Sequence, residues 1–208
     1  MSGSFVSPEL RAKVRGMAEP IGLALARVGL TPNALTVIGF LIACVAAIAA
    51  GAQAWLLAGF LVIFGGIFDM FDGMVARATG RVSKAGAFLD STFDRWGEGV
   101  VYVGIVAGCL LSDYELGAVL AAAAMTSAFM VSYTRARSES LGFAPGKGMA
   151  NVGLAPREVR LVILTVGVVL AGVSLTVMAI ALGLIVVLAT ISTIQRIVVT
   201  LRQASLPE

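Results

Sequence analysis

The residues in this chain whose types and spacing are able to do chemistry are four aspartates, Asp69, Asp72, Asp90 and Asp94, carried by FDMFDGMVAR and GAFLDSTFDR. Both segments lie between long apolar stretches, where an ionised carboxylate is costly to keep and is read first as functional. Asp69 and Asp72 are three apart and Asp90 and Asp94 four apart, so each pair lies along one face of its helix. Turned toward each other, the two faces form a cage of oxygen ligands, which suits Mg2+, Mn2+ or Ca2+ rather than zinc. Two divalent ions would neutralise four carboxylates, and a metal pair about 4 Å apart clamps the attacking and leaving oxygens of a phosphoryl displacement.

Small residues accompany the acids. In helical projection, positions 69, 72, 73, 76 and 77 span about 140° and positions 86, 90 and 94 about 80°, which puts Gly73, Ala76 and Gly86 on the acid faces. They leave room beside the carboxylates for a flat base or a diphosphate to approach the backbone. Arg77, one turn past Gly73, offers a planar fork to phosphate oxygens; its other reading is snorkelling to the membrane interface.

The elements that must position these groups are membrane helices. The chain has 208 residues, 59% hydrophobic and only 13% charged, with a mean hydropathy of +0.97. Those values belong to a helical membrane protein and argue against a nucleic-acid binder. Apolar runs place spans near 33–50, 54–77, 83–111, 116–138, 158–173 and 175–198. The expected architecture is therefore all-α, a single domain over 1–208 with six transmembrane helices in 31–208. Residues 8–28 mix Arg and Lys with Leu, Ile and Val and read as an interfacial amphipathic helix bent at Pro20. No secretory leader is read in the N-terminal segment.

The links at 51–54, 112–115 and 172–175 contain no Lys or Arg, and all 15 basic residues fall toward the opposite side. By the positive-inside rule that side is cytoplasmic, and both termini and the aspartates belong to it. Histidine is absent, which removes Ser/His/Asp and Cys/His catalysis and any His-based zinc site. Cys44 and Cys109 lie inside apolar spans without ligand spacing and read as packing residues. Gly146-Lys147 is no P-loop, because Leu141 stands where its first glycine belongs. Lys147 reads as a solvated or headgroup-facing charge.

Read together, the central residues match D-x2-D-G-x2-A-R-x8-G-x3-D-x3-D at all eight fixed positions: Asp69, Asp72, Gly73, Ala76, Arg77, Gly86, Asp90 and Asp94. By this signature the chain resembles the CDP-alcohol phosphotransferase family, whose members transfer a phosphatidyl-type group from a CDP-linked lipid to an alcohol and release CMP. The resemblance implies an interfacial helix followed by six spans, and a homodimer. It implies that Asp69, Asp72 and Asp90 ligate Mg2+, with Mn2+ as an alternative. Asp94 would ligate a second ion and act as general base, while Gly73, Ala76, Arg77 and Gly86 frame the cytidine diphosphate. Thr31-Pro32-Asn33 starts the first span as a capped helix, and the resemblance adds Asn33 as a nucleotide contact.

A second basic set lies at the cytoplasmic ends of the later spans, and its arginines suit a phosphate monoester. The stretches SYTRARSESLGF and GLAPREVRLVIL resemble phosphatidylinositol phosphate synthases of the actinobacterial type, which implies Ser132, Arg135, Arg137, Arg157 and Arg196 as positions for the phosphate of inositol phosphate. A transferase using glycerol-3-phosphate needs the same charges and is the alternative. From another class, a cation or proton transporter also buries acids, but a relay would spread them across the bilayer whereas these cluster near one face. Glu98 extends the Asp90–Asp94 stripe by a turn, either tuning the site or pairing with Arg95 or another helix. Asp113 and Glu115 read as solvated charges.

Overall fold

The computed structural model describes residues 20–143 and 152–205, all helix, turn or irregular segment without a strand among them. A short helical segment at 20–27 precedes α1 (Pro32–Gly51), α2 (Trp55–Ala78), α3 (Lys84–Leu111), α4 (Glu115–Ser140), α5 (Arg157–Ala171) and α6 (Leu175–Ala204). Each expected span falls on one of these helices, the last running on to Ala204. Of the expected interfacial helix, residues 8–19 lie outside the described residues, as do Arg11, Lys13, Arg15 and Lys147, so the bend at Pro20 cannot be placed on them. Its described part packs on α2, with Gly22 against Met74.

Two helix starts are set by side-chain caps. Thr31 accepts from the Ala34 amide at 3.2 Å with Pro32 at the first turn, and Ser83 accepts from the Gly86 amide at 3.0 Å. Both caps hold backbone beside the aspartates.

α1, α2, α4 and α6 are long and apolar enough to cross a membrane. α3 carries Lys84, Asp90, Asp94, Arg95 and Glu98 between its start and its middle. α5 has 15 residues, about 22 Å of helix against a hydrocarbon core of roughly 30 Å. Leu41, Ile48, Val119, Val162 and Ile180 are exposed, an apolar exterior that suits lipid better than water.

The packing places the site. α1 lies against both α2 and α3, whereas the two acid-bearing helices touch each other little. Close approach of α1 and α3 depends on glycine: a Cβ on Gly104 would strike the Ala47 backbone, and one on Gly108 the Ala50 carbonyl and the Trp55 ring. α5 bridges α2 and α6, and α6 packs on α4. The core between them is Tyr102, Ile105, Leu164, Val168, Met178, Leu182 and Ile185. Cys109 is buried in it and Cys44 is half-buried on α1, as packing residues should be. Asp113 and Glu115 are exposed.

Candidate active site

The spacing of the acids works out as helical geometry requires. One oxygen each from Asp69, Asp72 and Asp90 lies within 4.8 Å of the other two, so α2 and α3 contribute to a single donor cluster. Asp72 is the deepest, 5% exposed, and accepts from Thr36 Oγ1 of α1 at 2.6 Å. That bond orients the carboxylate, as a metal-ligand residue needs. Three carboxylates so close are mutually repulsive, and the donor set fits a hard divalent cation.

Asp94 stands outside this cluster. Its Oδ2 faces Arg157 Nη1 at 2.8 Å and accepts from Arg95 Nη1 at 3.2 Å. The same Arg157 nitrogen pairs with Asp69 Oδ2, tying α2 to α3 through a residue of α5. Asp94 Oδ1 is buried without a hydrogen-bond partner among the described residues, the state of an oxygen able to accept a proton.

Two cavities meet at the acids. One of about 290 Å3 is lined by Asn33, Thr36, Asp72, Gly73, Ala76, Arg77, Ser83, Gly86 and Asp90, among others. Every residue expected to frame the nucleotide therefore borders one space. A Cβ on Gly86 would sit 3.5 Å from Asn33 Oδ1, filling part of it. The other cavity, about 330 Å3, is lined by Asp90, Asp94, Ser132 and five arginines, Arg95, Arg135, Arg157, Arg160 and Arg196. Asp90 borders both. A small inner cavity of about 50 Å3 lies beneath, with Asp69, Asp94 and Arg157 in its wall.

Of the residues expected to hold an acceptor phosphate, Ser132, Arg135, Arg157 and Arg196 line the second cavity. Arg137 does not; it is exposed on another face of α4, because two residues on a helix turn the side chain by about 200° from Arg135. Four residues outside that expected set, Arg95, Glu98, Arg160 and Ser192, line it or support it. Arg95 donates to Ser132 Oγ at 3.1 Å. Glu98 pairs with another helix, one of the alternatives its stripe position left open: it receives both Arg160 Nε at 3.0 Å and Arg160 Nη2 at 2.9 Å. Ser192 accepts from the Leu154 and Ala155 amides, each at 2.9 Å.

The loop before α5 is thus clamped from three sides, since Arg160 Nη1 also donates to the Ala155 carbonyl at 2.9 Å and Arg196 Nε to Val152 O at 2.9 Å. Arg196 Nη1 donates to the Val131 carbonyl of α4 as well. Arg160 is signalled in the sequence by its i+3 spacing from Arg157, and Thr36 by its i+3 spacing from Asn33. Ser192 carries no such signal.

Residues 29–199 match the family model described as CDP-alcohol phosphatidyltransferase. The archaetidylinositol phosphate synthase of Pyrococcus horikoshii is 37% identical over 190 residues, 91% of this chain and 93% of that protein. The phosphatidylinositol phosphate synthase of Mycobacterium tuberculosis, solved with CDP-DAG bound, superposes with a TM-score of 0.78 at 28% identity, covering 88% of this chain and 92% of the other. The same enzyme in complex with manganese and citrate gives a TM-score of 0.79 at 28% identity and 88% coverage of both chains.

Proposed function

The chain belongs to the CDP-alcohol phosphatidyltransferase family, and from that premise we propose that it transfers a phosphatidyl group from CDP-diacylglycerol to inositol phosphate, giving phosphatidylinositol phosphate and CMP. The observation that carries this reading is the position of Asp90, a member of the acid cluster that borders both the cavity of the signature residues and the cavity of the arginines. Donor diphosphate and acceptor hydroxyl then meet at one wall. CDP-DAG, bound in one relative, suits the first cavity, and inositol phosphate, the headgroup of the lipids for which the relatives are named, suits the second.

The roles follow from placement. Asn33, Gly73, Ala76, Arg77 and Gly86 hold the cytidine diphosphate, Arg77 by its fork to phosphate oxygens. Ser132, Arg135, Arg157 and Arg196, with Arg95, hold the acceptor phosphate. Asp69, Asp72 and Asp90 would hold Mg2+ or Mn2+ and Asp94 a second ion, the manganese complex of the relative being the parallel. Bound divalent ions supply charge neutralisation for the diphosphate and the leaving CMP. Asp94 takes the hydroxyl proton as the acceptor oxygen bonds to the β-phosphorus and the bridging P–O bond to CMP breaks. The buried, unpartnered Asp94 Oδ1 is suited to that proton.

We read the whole chain, 1–208, as one domain with six membrane-crossing helices, the acids and both termini on the cytoplasmic side, working as a homodimer. The test is CMP release by purified protein with CDP-diacylglycerol and Mg2+, offered inositol phosphate, free inositol, glycerol-3-phosphate and serine in parallel. Release with inositol phosphate alone is the expected result, and release with glycerol-3-phosphate alone assigns the acceptor to that alternative.

A further inference from the structure

Arg157 is placed among the acceptor-side arginines, yet its partners are acids of the cation site. Arg160 is held by Glu98 and the Ala155 carbonyl, and Arg196 by the Val152 and Val131 carbonyls. Arg157 instead occupies Oδ2 of Asp69 and Oδ2 of Asp94 with one nitrogen, while its Nε is buried without a partner among the described residues. Together with Asp94 it borders both the inner cavity beneath the acids and the cavity of the arginines. Its guanidinium therefore stands at the boundary between the two sites.

We propose that Arg157 is an exchangeable counter-cation that couples the two sites: an acceptor phosphate draws it off Asp69 and Asp94, which strengthens divalent-cation binding there. The inference rests on the reading of the arginine cavity as a phosphomonoester site. A carboxylate oxygen occupied by a guanidinium is a poorer ligand for a dication, and the guanidinium charge beside the site repels one. A phosphate gives Arg157 a partner for its unused edge, in the bidentate geometry that guanidinium favours. Because coupling between two binding events is reciprocal, each then tightens the other. The consequence is protective as well: an ion site that fills fully only when acceptor is present discourages attack on the donor lipid by water.

The test is Mn2+ titration of the purified full chain, with free Mn2+ read by its EPR signal, without substrate and with inositol phosphate, glycerol-3-phosphate or free inositol. In the wild type inositol phosphate should tighten Mn2+ about fivefold or more, and free inositol should not. Arg157→Gln should bind Mn2+ more tightly than the wild type without acceptor and respond to none of the additions. If glycerol-3-phosphate tightens Mn2+ and inositol phosphate does not, the coupling stands and the choice of acceptor fails. If no phosphomonoester alters Mn2+ affinity in the wild type, or if Arg157→Gln binds Mn2+ no better than the wild type, the coupling is overturned. Should Arg157→Gln fail to fold, Arg157→Lys decides: it keeps the charge and loses the fork, so the response to inositol phosphate should fall at least about threefold, and an undiminished response overturns the proposal.

Discussion

Glu98 and Arg160 form a two-pronged ion pair between α3 and α5, with both side chains buried. It lies one turn along from the pair of Asp94 and Arg157 on the same two helices. The two pairs fix the register of α3 against α5, and with it the place of Asp94 in the wall of the arginine cavity.

Breaking that lower pair strands a buried charge. Arg160→Met should lower unfolding free energy by about 3–5 kcal/mol, measured by thermal or denaturant unfolding in detergent. Replacing both partners by apolar residues should recover much of the loss, because the unpaired charge is then gone. A single substitution without effect would mean that the pair does not set the register.

Asp94→Asn keeps the size of the side chain and removes the proposed base. Transfer should fall by about 100- to 10,000-fold while CDP-lipid binding persists, as read by equilibrium binding alongside CMP release. Substantial remaining turnover would assign proton removal to another group.

Thr36 is a quieter test of the cation site, since its hydroxyl orients Asp72 without belonging to the acid cluster. Thr36→Val should weaken Mn2+ binding by about 10- to 100-fold with the fold intact, and Asp72→Asn should weaken it further. Unchanged metal dependence in both would remove Asp72 from the ligand set.

The two arginines of SYTRARSE should part company. Arg135 lines the arginine cavity, the proposed acceptor site, and Arg137 does not. Arg135→Gln should raise the acceptor KM about 10-fold or more, the worth of a charge-assisted hydrogen bond, and leave the CDP-lipid KM little changed. Arg137→Gln should leave both close to wild type; steady-state kinetics with each substrate varied separately decides.

That contrast shows where the sequence is legible. Apolar runs locate all six helices, four of them long and apolar enough to cross a membrane. Helical spacing likewise places Asp69, Asp72 and Asp90 on converging faces. Arg137 and Arg135 stand at one basic helix end, which groups them in the sequence, but a shared helix end says nothing of angle about the axis. Ser192, and which residue Glu98 pairs with, are illegible for a different reason. Their partners, the 154–155 amides and Arg160, lie far along the chain, and such pairings follow from tertiary packing rather than local pattern.

The measurement closest to the central claim, that clustered carboxylates hold divalent ions at the meeting point of donor and acceptor, is CMP release with CDP-diacylglycerol and inositol phosphate after the protein has been stripped by chelator. Turnover should vanish and return on adding Mg2+ or Mn2+. Turnover that persists in metal-free buffer would contradict the account.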